Sequence, residues 1–192
     1  MNNLQAAKMA DEIIQLYHQH GGHEYAGEKV TQLEHMVQAA RLAEQQGYDE
    51  EVILAAFLHD IGHICVAAQT DNVMDGWGIK DHEEAGADFL QEKGFSKRLA
   101  SLVASHVAAK RYLTWKHAGY YEQLSEASKK TLEYQGGPMT EEEALGFEQH
   151  PLFNFIIQMR RWDDEAKVEH MELGDLEKYR FMIIRHLMMV SI

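Results

Sequence analysis

A nearly continuous apolar stretch, Val52 to Leu58, places the strongest constraint on the fold, because it runs directly into an ionisable pair, His59 and Asp60. The stretch predicts a helix that is apolar on every side, and such a helix is usually buried at the centre of its domain. Asp49 is a suitable N-cap for it. Burying an ionisable pair is costly unless the groups are paired or bound to a metal. The central helix therefore predicts either a hydrogen-bonded core histidine with a capping aspartate or a metal site.

The rest of the chain predicts an all-α bundle in a single domain, residues 1–192. Only two prolines occur, and proline breaks helix interiors. Apolar periodicity and capping residues predict helices at about 4–20, 30–46, 81–93, 96–110, 118–134, 151–169 and 175–190, around the central segment DEEVILAAFLHDIGHI. Asp81 and Ser96 are the expected N-caps of two helices, and Pro151 suits the first turn of another. Residues 64–80 are predicted to form a loop.

The net charge and the amino-acid composition of the chain indicate which kinds of molecule it can bind. The formal net charge is −13, and the basic pairs Lys129-Lys130 and Arg160-Arg161 are too short to form a nucleic-acid arm. No segment approaches the roughly 20 apolar residues that span a bilayer, and the N-terminus lacks the apolar stretch of a signal peptide. Cys65 is the only cysteine, so an intramolecular disulfide is impossible. We therefore expect a cytoplasmic protein that binds neither nucleic acid nor membrane.

Histidines and aspartates on other predicted helices could join the His59-Asp60 pair in one metal centre. These residues are His35, His82, His106 and Asp163. Because Asp60 has two oxygens, it could bridge two ions. One ion would take His35, His59, Asp60 and Asp163, and the other Asp60, His82 and His106. Imidazole and carboxylate ligands with open positions suit iron or manganese, and zinc less specifically.

This ligand pattern, together with several longer stretches, resembles a known family. His…His-Asp…His…His…Asp is similar to the HD-domain superfamily in its two-metal form. The stretches QLEH (32–35), FLHDIGH (57–63), HVAAKRYL (106–113), KTLEYQGGPM (130–139) and RRWD (160–163) are similar to the glycine-forming 2-amino-1-hydroxyethylphosphonate dioxygenases. The similarity covers nearly the whole chain. It implies a helical HD-domain bundle, two Fe ions in a mixed-valent Fe(II)/Fe(III) pair, and O2 as co-substrate.

Two basic residues are candidates for binding an anionic substrate beside the metals. Lys110 lies one helical turn after His106, so both face the same side of a helix. On its own such a lysine would be a solvated charge at a helix end, but the resemblance implies that it contacts a phosphonate. Arg160, three residues before Asp163, could be a second donor. Arg161 points elsewhere and is expected at the surface.

The resemblance also implies the remaining substrate-binding positions, which are Tyr25, Glu28, His63, Ser128 and Gln135. It implies that Tyr25 occupies an open iron position before substrate arrives and that Glu28 recognises the substrate amine. His63 is expected to contact substrate rather than metal. By sequence alone, Ser128 and Gln135 could be ordinary helix-surface residues.

The resemblance implies an oxidoreductase of phosphonate catabolism, a dioxygenase that cleaves the C–P bond of 2-amino-1-hydroxyethylphosphonate to give glycine and phosphate. The N-trimethyl analogue, which would give glycine betaine, is a second possible substrate. Tyr25 and Glu28 favour the primary amine, because Glu28 can hydrogen-bond an ammonium, whereas a quaternary ammonium has no N–H and is usually bound by aromatic faces. Two different activities also fit the same six ligands: an HD-type metal-dependent phosphohydrolase and a non-catalytic metal-bound signalling module.

Overall fold

The computed structural model describes residues 1–25, 27–65, 74–75 and 77–190. Within those ranges the chain forms helices, and an isolated β-bridge pairs Glu24 with Thr31. In chain order the helices are α1 (Asn3–His20), α2 (Gln32–Gln45), α3 (Glu50–Leu58), α4 (Gly62–Cys65), α5 (His82–Glu92), α6 (Lys97–Ala104), α7 (His106–Lys116), α8 (Tyr120–Gln123), α9 (Glu126–Tyr134), α10 (Glu141–Glu148), α11 (Phe153–Glu165) and α12 (Glu177–Val190). The predicted all-α fold is confirmed. Across the described part of the chain, no helix is both long enough and apolar enough to cross a membrane.

The predicted central helix is α3, and every residue from Val52 to Leu58 is buried. Helices α2, α6, α11 and α12 pack around it. Asp49 caps its first turn, as predicted, by accepting a hydrogen bond from the Val52 N–H at 3.0 Å. The helix ends at Leu58, one residue before the His-Asp pair. Residues 59–61 form a tight turn with i→i−3 hydrogen bonds, and a short helix, α4, follows.

The structure corrects several predicted helix boundaries. The predicted helix at 96–110 is broken at Ser105, whose hydroxyl donates to the Ser101 carbonyl at 2.7 Å and competes with the helical hydrogen bonds. The predicted helix at 118–134 is two helices, α8 and α9, and α10 was not predicted. The late helix starts at Phe153, after Pro151, and ends at Glu165 rather than at 169. Most of the predicted loop at 64–80 lies outside the described residues.

The two predicted N-caps differ in outcome. Ser96 caps α6 by accepting from the Leu99 N–H at 3.0 Å. Asp81 precedes α5 but makes no capping hydrogen bond, because its backbone has the left-handed conformation, with φ of 56°. That conformation turns the chain sharply into α5. As a result, His82 is the first residue of that helix and is buried.

A buried hydrogen bond links α1 to the end of the central helix. The Tyr17 hydroxyl donates to the Phe57 carbonyl at 2.7 Å, and the centroids of the two rings lie 4.6 Å apart.

We expect Tyr17→Phe to lower the free energy of unfolding by about 1–2 kcal/mol, because the Phe57 carbonyl loses its buried donor. Chemical denaturation would measure the change, with the more exposed Tyr121→Phe as the matched control. Equal midpoints for the two variants would contradict this role.

Candidate metal centre

Six side chains from five parts of the fold converge in the interior of the bundle. They are His35 of α2, His59 and Asp60 in the turn after α3, His82 and His106 at the first positions of α5 and α7, and Asp163 of α11. None is more than 4% exposed. Gly62 allows this convergence, because a Cβ there would lie 1.9 Å from the His82 carbonyl oxygen. The turn that carries Asp60 therefore packs directly against the start of α5.

The Asp60 carboxylate lies between two groups of imidazoles. Its Oδ1 is 3.2 Å from His82 Nε2 and 3.1 Å from His106 Nε2. Its Oδ2 is 3.3 Å from His59 Nε2 and 3.6 Å from His35 Nε2. Asp163 adds an oxygen to the second group, 3.3 Å from His35 Nε2. These distances bring together the same two sets of residues that the sequence analysis grouped.

Each of the four imidazoles is held by a hydrogen bond on the ring nitrogen that faces away from Asp60. The Nδ1 atoms donate to backbone carbonyls, as follows: His35 to Ala166 at 2.9 Å, His59 to Ala56 at 2.8 Å, His82 to Ile79 at 3.0 Å and His106 to Val103 at 2.8 Å. Because a carbonyl only accepts, Nδ1 must carry the hydrogen. In the neutral ring the Nε2 lone pair then faces the centre, as in metal-binding histidines.

This arrangement fits a metal centre better than a hydrogen-bonded histidine core. Neither Asp60 oxygen has a hydrogen-bond partner of good geometry among the described residues. The Nε2 atoms also face each other closely, 3.2 Å apart for His35 and His59 and 3.0 Å apart for His82 and His106. Buried lone pairs and carboxylate oxygens that face one another require cations between them. The cluster is a metal-binding centre of imidazole and carboxylate ligands.

Protons are the cations that compete with a metal here. Burial on its own would lower the pKa of His59, but the adjacent Asp60 carboxylate outweighs it and raises the pKa to about 9. Burial would raise the pKa of Asp60, yet the surrounding imidazoles hold it well below its usual range. Metal binding must therefore displace a proton from His59.

A small cavity opens onto this cluster and is lined by all seven residues predicted to bind substrate. The Tyr25 ring stacks on His35, with centroids 4.1 Å apart. Burial, followed by the nearby Asp60 and Asp163 carboxylates, raises the pKa of Tyr25 well above its usual value. The structure thus places Tyr25 over one imidazole group, and its role remains a proposal.

His63 also lines the cavity, but its hydrogen bond differs from those of the other four histidines. Its ring stacks on His82 at 3.9 Å, and its Nδ1 accepts from the Ile79 N–H at 3.2 Å. The hydrogen of the neutral ring must then be on Nε2, which leaves no lone pair for a metal. This hydrogen bond favours the prediction that His63 is not a ligand, whereas the position of His63 does not separate it from the ligands: potential ligand atoms of Asp60, His63 and His82 all lie within 4.8 Å of one another.

Lys110 and Arg160 both line the cavity and are both 4% exposed. Lys110 Nζ donates to Thr131 Oγ1 at 2.8 Å. Burial, followed by repulsion from Arg160, lowers the pKa of Lys110 to about 7. A solvated lysine at a helix end, the alternative that the sequence left open, is therefore excluded. An anion in the cavity would favour the protonated, charged form of this lysine.

Arg160 is already engaged by other side chains. Its Nη1 donates to Asp163 Oδ2 at 2.5 Å, its Nε donates to the Tyr120 hydroxyl at 2.9 Å, and its Nη2 pairs with Asp164. These contacts leave Asp163 Oδ1 facing His35. Arg160 thus orients Asp163, a role that the sequence analysis did not foresee. Arg161 is exposed, as predicted.

Two polar residues near the cavity were missed by sequence reasoning. Thr131 lines the cavity and lies one helical turn after Ser128, within the distinctive stretch 130–139, so its position could have been found from the sequence. Lys167 follows the end of α11 and donates to Glu28 Oε1 at 2.6 Å. No local pattern relates these two residues, because 139 positions separate them in the chain.

The raised pKa of His59 predicts how the stability of the metal-free protein depends on pH. A group whose pKa is higher in the folded state contributes stability below its unfolded value, here 6.5, and loses it as the pH rises through about 9. We expect the metal-free protein to lose thermal stability across this range, and added metal to abolish the loss. Melting curves at several pH values would measure how the melting temperature depends on pH. His59→Gln is the control, because without the imidazole this dependence should be absent. Parallel curves for the two proteins would contradict the assignment.

Comparison with known proteins places this centre in a family. The HD domain family profile matches residues 32–144. The chain is 46% identical over 187 residues to an uncharacterised protein of Acanthamoeba polyphaga mimivirus, covering 97% of this chain and 85% of the other. It is 40% identical over 185 residues to the glycine-betaine-forming 1-hydroxy-2-(trimethylamino)ethylphosphonate dioxygenase of Leisingera caerulea, covering 96% and 93%. It is 41% identical over 170 residues to the hydroxymethylphosphonate dioxygenase of Gimesia maris, covering 87% and 82%. The chain therefore belongs to the HD-domain family and is an oxidoreductase that resembles its phosphonate dioxygenases.

Proposed function

We propose that this protein is a diiron oxygenase that uses O2 to cleave the C–P bond of 2-amino-1-hydroxyethylphosphonate, with glycine and phosphate as products. The observation that carries the proposal is the position of the Asp60 carboxylate, with one oxygen beside each imidazole group. A shared carboxylate is the usual way to hold two ions close together, and the buried Lys110 lies in the adjoining cavity. The two relatives named as phosphonate dioxygenases support the reaction class.

The donor set suits a pair of iron ions in the Fe(II)/Fe(III) state. His35, His59, Asp60 and Asp163 would hold one ion, and Asp60, His82 and His106 the other. Four imidazoles and two carboxylates, with positions left open, are typical of non-haem iron and are unlike the cysteine-rich sets of structural zinc. When bound, the iron pair would supply O2 activation and the redox chemistry of C–P cleavage.

The chain's own residues would bind and orient the substrate. The Lys110 ammonium would pair with the phosphonate, and Thr131 fixes the position of that ammonium. His63, through its Nε2–H, would donate to a substrate oxygen. Glu28 would accept hydrogen bonds from the substrate ammonium, so that the anionic and cationic ends are both held. Apolar lining residues such as Trp77 and Val107 would exclude water around the reacting carbon.

The N-trimethyl substrate is the second candidate, because the Leisingera caerulea relative is named for it. Aromatic side chains of the cavity, Tyr25 and Trp77, could face a quaternary ammonium. Glu28 favours the primary amine, since only a group with N–H can donate to a carboxylate.

We also propose one domain for residues 1–192, because α11, beyond the matched region, contributes Asp163 to the cluster. A cytoplasmic location stays a prediction from the single cysteine.

Oxygen consumption distinguishes the oxygenase from a hydrolase. Iron-loaded protein mixed with 2-amino-1-hydroxyethylphosphonate should consume O2 and release glycine and phosphate in equal amounts. The N-trimethyl analogue, tested in parallel, should react more slowly. Cleavage of phosphate esters without O2 uptake would instead favour the phosphohydrolase. Absence of both reactions in iron-loaded protein would favour a non-catalytic module.

Lys110→Met should weaken the binding of phosphonate substrates. Losing a charged hydrogen bond to the phosphonate is expected to raise KM by roughly 10–100-fold, with a smaller effect on kcat. Steady-state oxygen-uptake kinetics would measure both. Lys116→Met is the matched control, because Lys116 lies on the same helix but is largely exposed. Equal KM values for the two variants would contradict the assigned role of Lys110.

A further inference from the structure

The end of the cavity marked by Glu28 contains an ion pair that the proposed function does not use. Glu28 Oε1 accepts from Lys167 Nζ at 2.6 Å and also from the Ser125 hydroxyl. Both charged side chains are largely buried, with 12% of Glu28 and 18% of Lys167 exposed. Glu28 lines the cavity whereas Lys167 does not. Lys167 therefore acts on a bound molecule through Glu28.

The backbone on both sides of Lys167 is fixed to α2, the helix that carries His35. The Ala166 carbonyl accepts from His35 Nδ1 at 2.9 Å. On the other side, Val168 is bound twice by Gln38, with its N–H donating at 2.9 Å and its carbonyl accepting at 3.0 Å. The anchored backbone fixes the point from which the Lys167 side chain extends, and partial burial restricts the positions that its ammonium can reach. Lys167 is thus held in place for Glu28.

Pairing changes what the Glu28 end of the cavity can recognise. A lone buried carboxylate would attract any cation, including a quaternary ammonium, through its net charge. With Lys167 beside it, the pair is close to neutral, and long-range attraction largely cancels. What remains is directional hydrogen bonding to the carboxylate oxygen that Lys167 does not occupy. Only a ligand with N–H or O–H groups gains from that.

We propose that Lys167 is a positioning residue that determines specificity: it fixes Glu28 and offsets its charge, so that the cavity selects a primary ammonium over a quaternary one. This inference rests on the proposed function, because it assigns the amino end of an aminophosphonate to the Glu28 side. Among the described residues, Lys167 Nζ also donates to the Ser125 and Ser128 hydroxyls, at 3.3 and 3.4 Å. They support the lysine head and carry no charge that would replace it.

The test compares the binding of three phosphonates to Lys167→Met, Lys167→Arg and the unaltered protein. Calorimetry under anaerobic conditions on iron-loaded protein avoids turnover. The ligands are 2-amino-1-hydroxyethylphosphonate, its N-trimethyl analogue and hydroxymethylphosphonate, which has no amine. We expect Lys167→Met to shift the affinity ratio of the first two by at least roughly tenfold towards the trimethyl compound, a change of about 1.4 kcal/mol. In the same variant, the affinity for hydroxymethylphosphonate should change by less than about threefold. Lys167→Arg should keep the affinity ratio of the unaltered protein.

A double variant separates charge from general disruption. In Glu28→Gln with Lys167→Met both charges are gone, so the shift towards the trimethyl compound should disappear. An unchanged ratio in Lys167→Met would overturn the inference, as would an equal loss of affinity for all three ligands. Should Lys167→Met fail to fold, Lys167→Gln provides the same comparison. Oxygen uptake by the unaltered protein tests the proposed function separately. If the protein binds 2-amino-1-hydroxyethylphosphonate without consuming O2, the oxygenase proposal is wrong. If it consumes O2 but Lys167→Met leaves the affinity ratio of the two amines unchanged, only the role of Lys167 is wrong.

Discussion

The structure depends on one electrostatic constraint, the burial of the Asp60 carboxylate among four imidazole rings. Neither of its oxygens has a hydrogen-bond partner of good geometry in the described part of the chain, and the facing nitrogens are oriented by backbone carbonyls behind them. An arrangement of this kind is stable only with cations inside it. The backbone around the cluster supplies these carbonyls and the same packed segments carry the ligands, so the fold and the centre depend on each other. Metal binding should therefore contribute to folding as well as to chemistry.

The cavity beside the cluster has a charge pattern suited to a small zwitterion. Lys110 offers a cation next to the metal ligands, and Glu28 offers an acceptor elsewhere on the lining. Each is itself held by another residue, Thr131 in one case and Lys167 in the other. Arg160 orients Asp163 and pairs with Asp164, and it lines the same cavity. The side chains behind the lining thus hold the groups that face into the cavity.

Sequence reasoning predicted the all-α class from local signals, and it grouped the six candidate ligands around the His59-Asp60 pair in a pattern that resembles the HD-domain superfamily. The apolar run before His59 forces a buried central helix, and histidines and aspartates on separate helices were the available partners. The helix breaks were harder to predict. Ser105 interrupts a stretch of good helix formers, and its hydroxyl donates to the Ser101 carbonyl. Asp81 adopts a left-handed backbone conformation, which an aspartate tolerates but which its presence in the sequence does not predict. Lys167 was missed for a different reason, since its partner Glu28 is distant in the chain and only tertiary packing brings them together.

Electron paramagnetic resonance of the iron-loaded protein, combined with iron analysis, tests the central claim that two ions share Asp60. The account predicts two irons per chain and the signal of an antiferromagnetically coupled Fe(II)/Fe(III) pair, because coupling of this kind requires a bridging ligand. The signal should change when 2-amino-1-hydroxyethylphosphonate is added and should be lost in Asp60→Ala. A single, uncoupled iron per chain, or a coupled signal that survives the loss of Asp60, would contradict it.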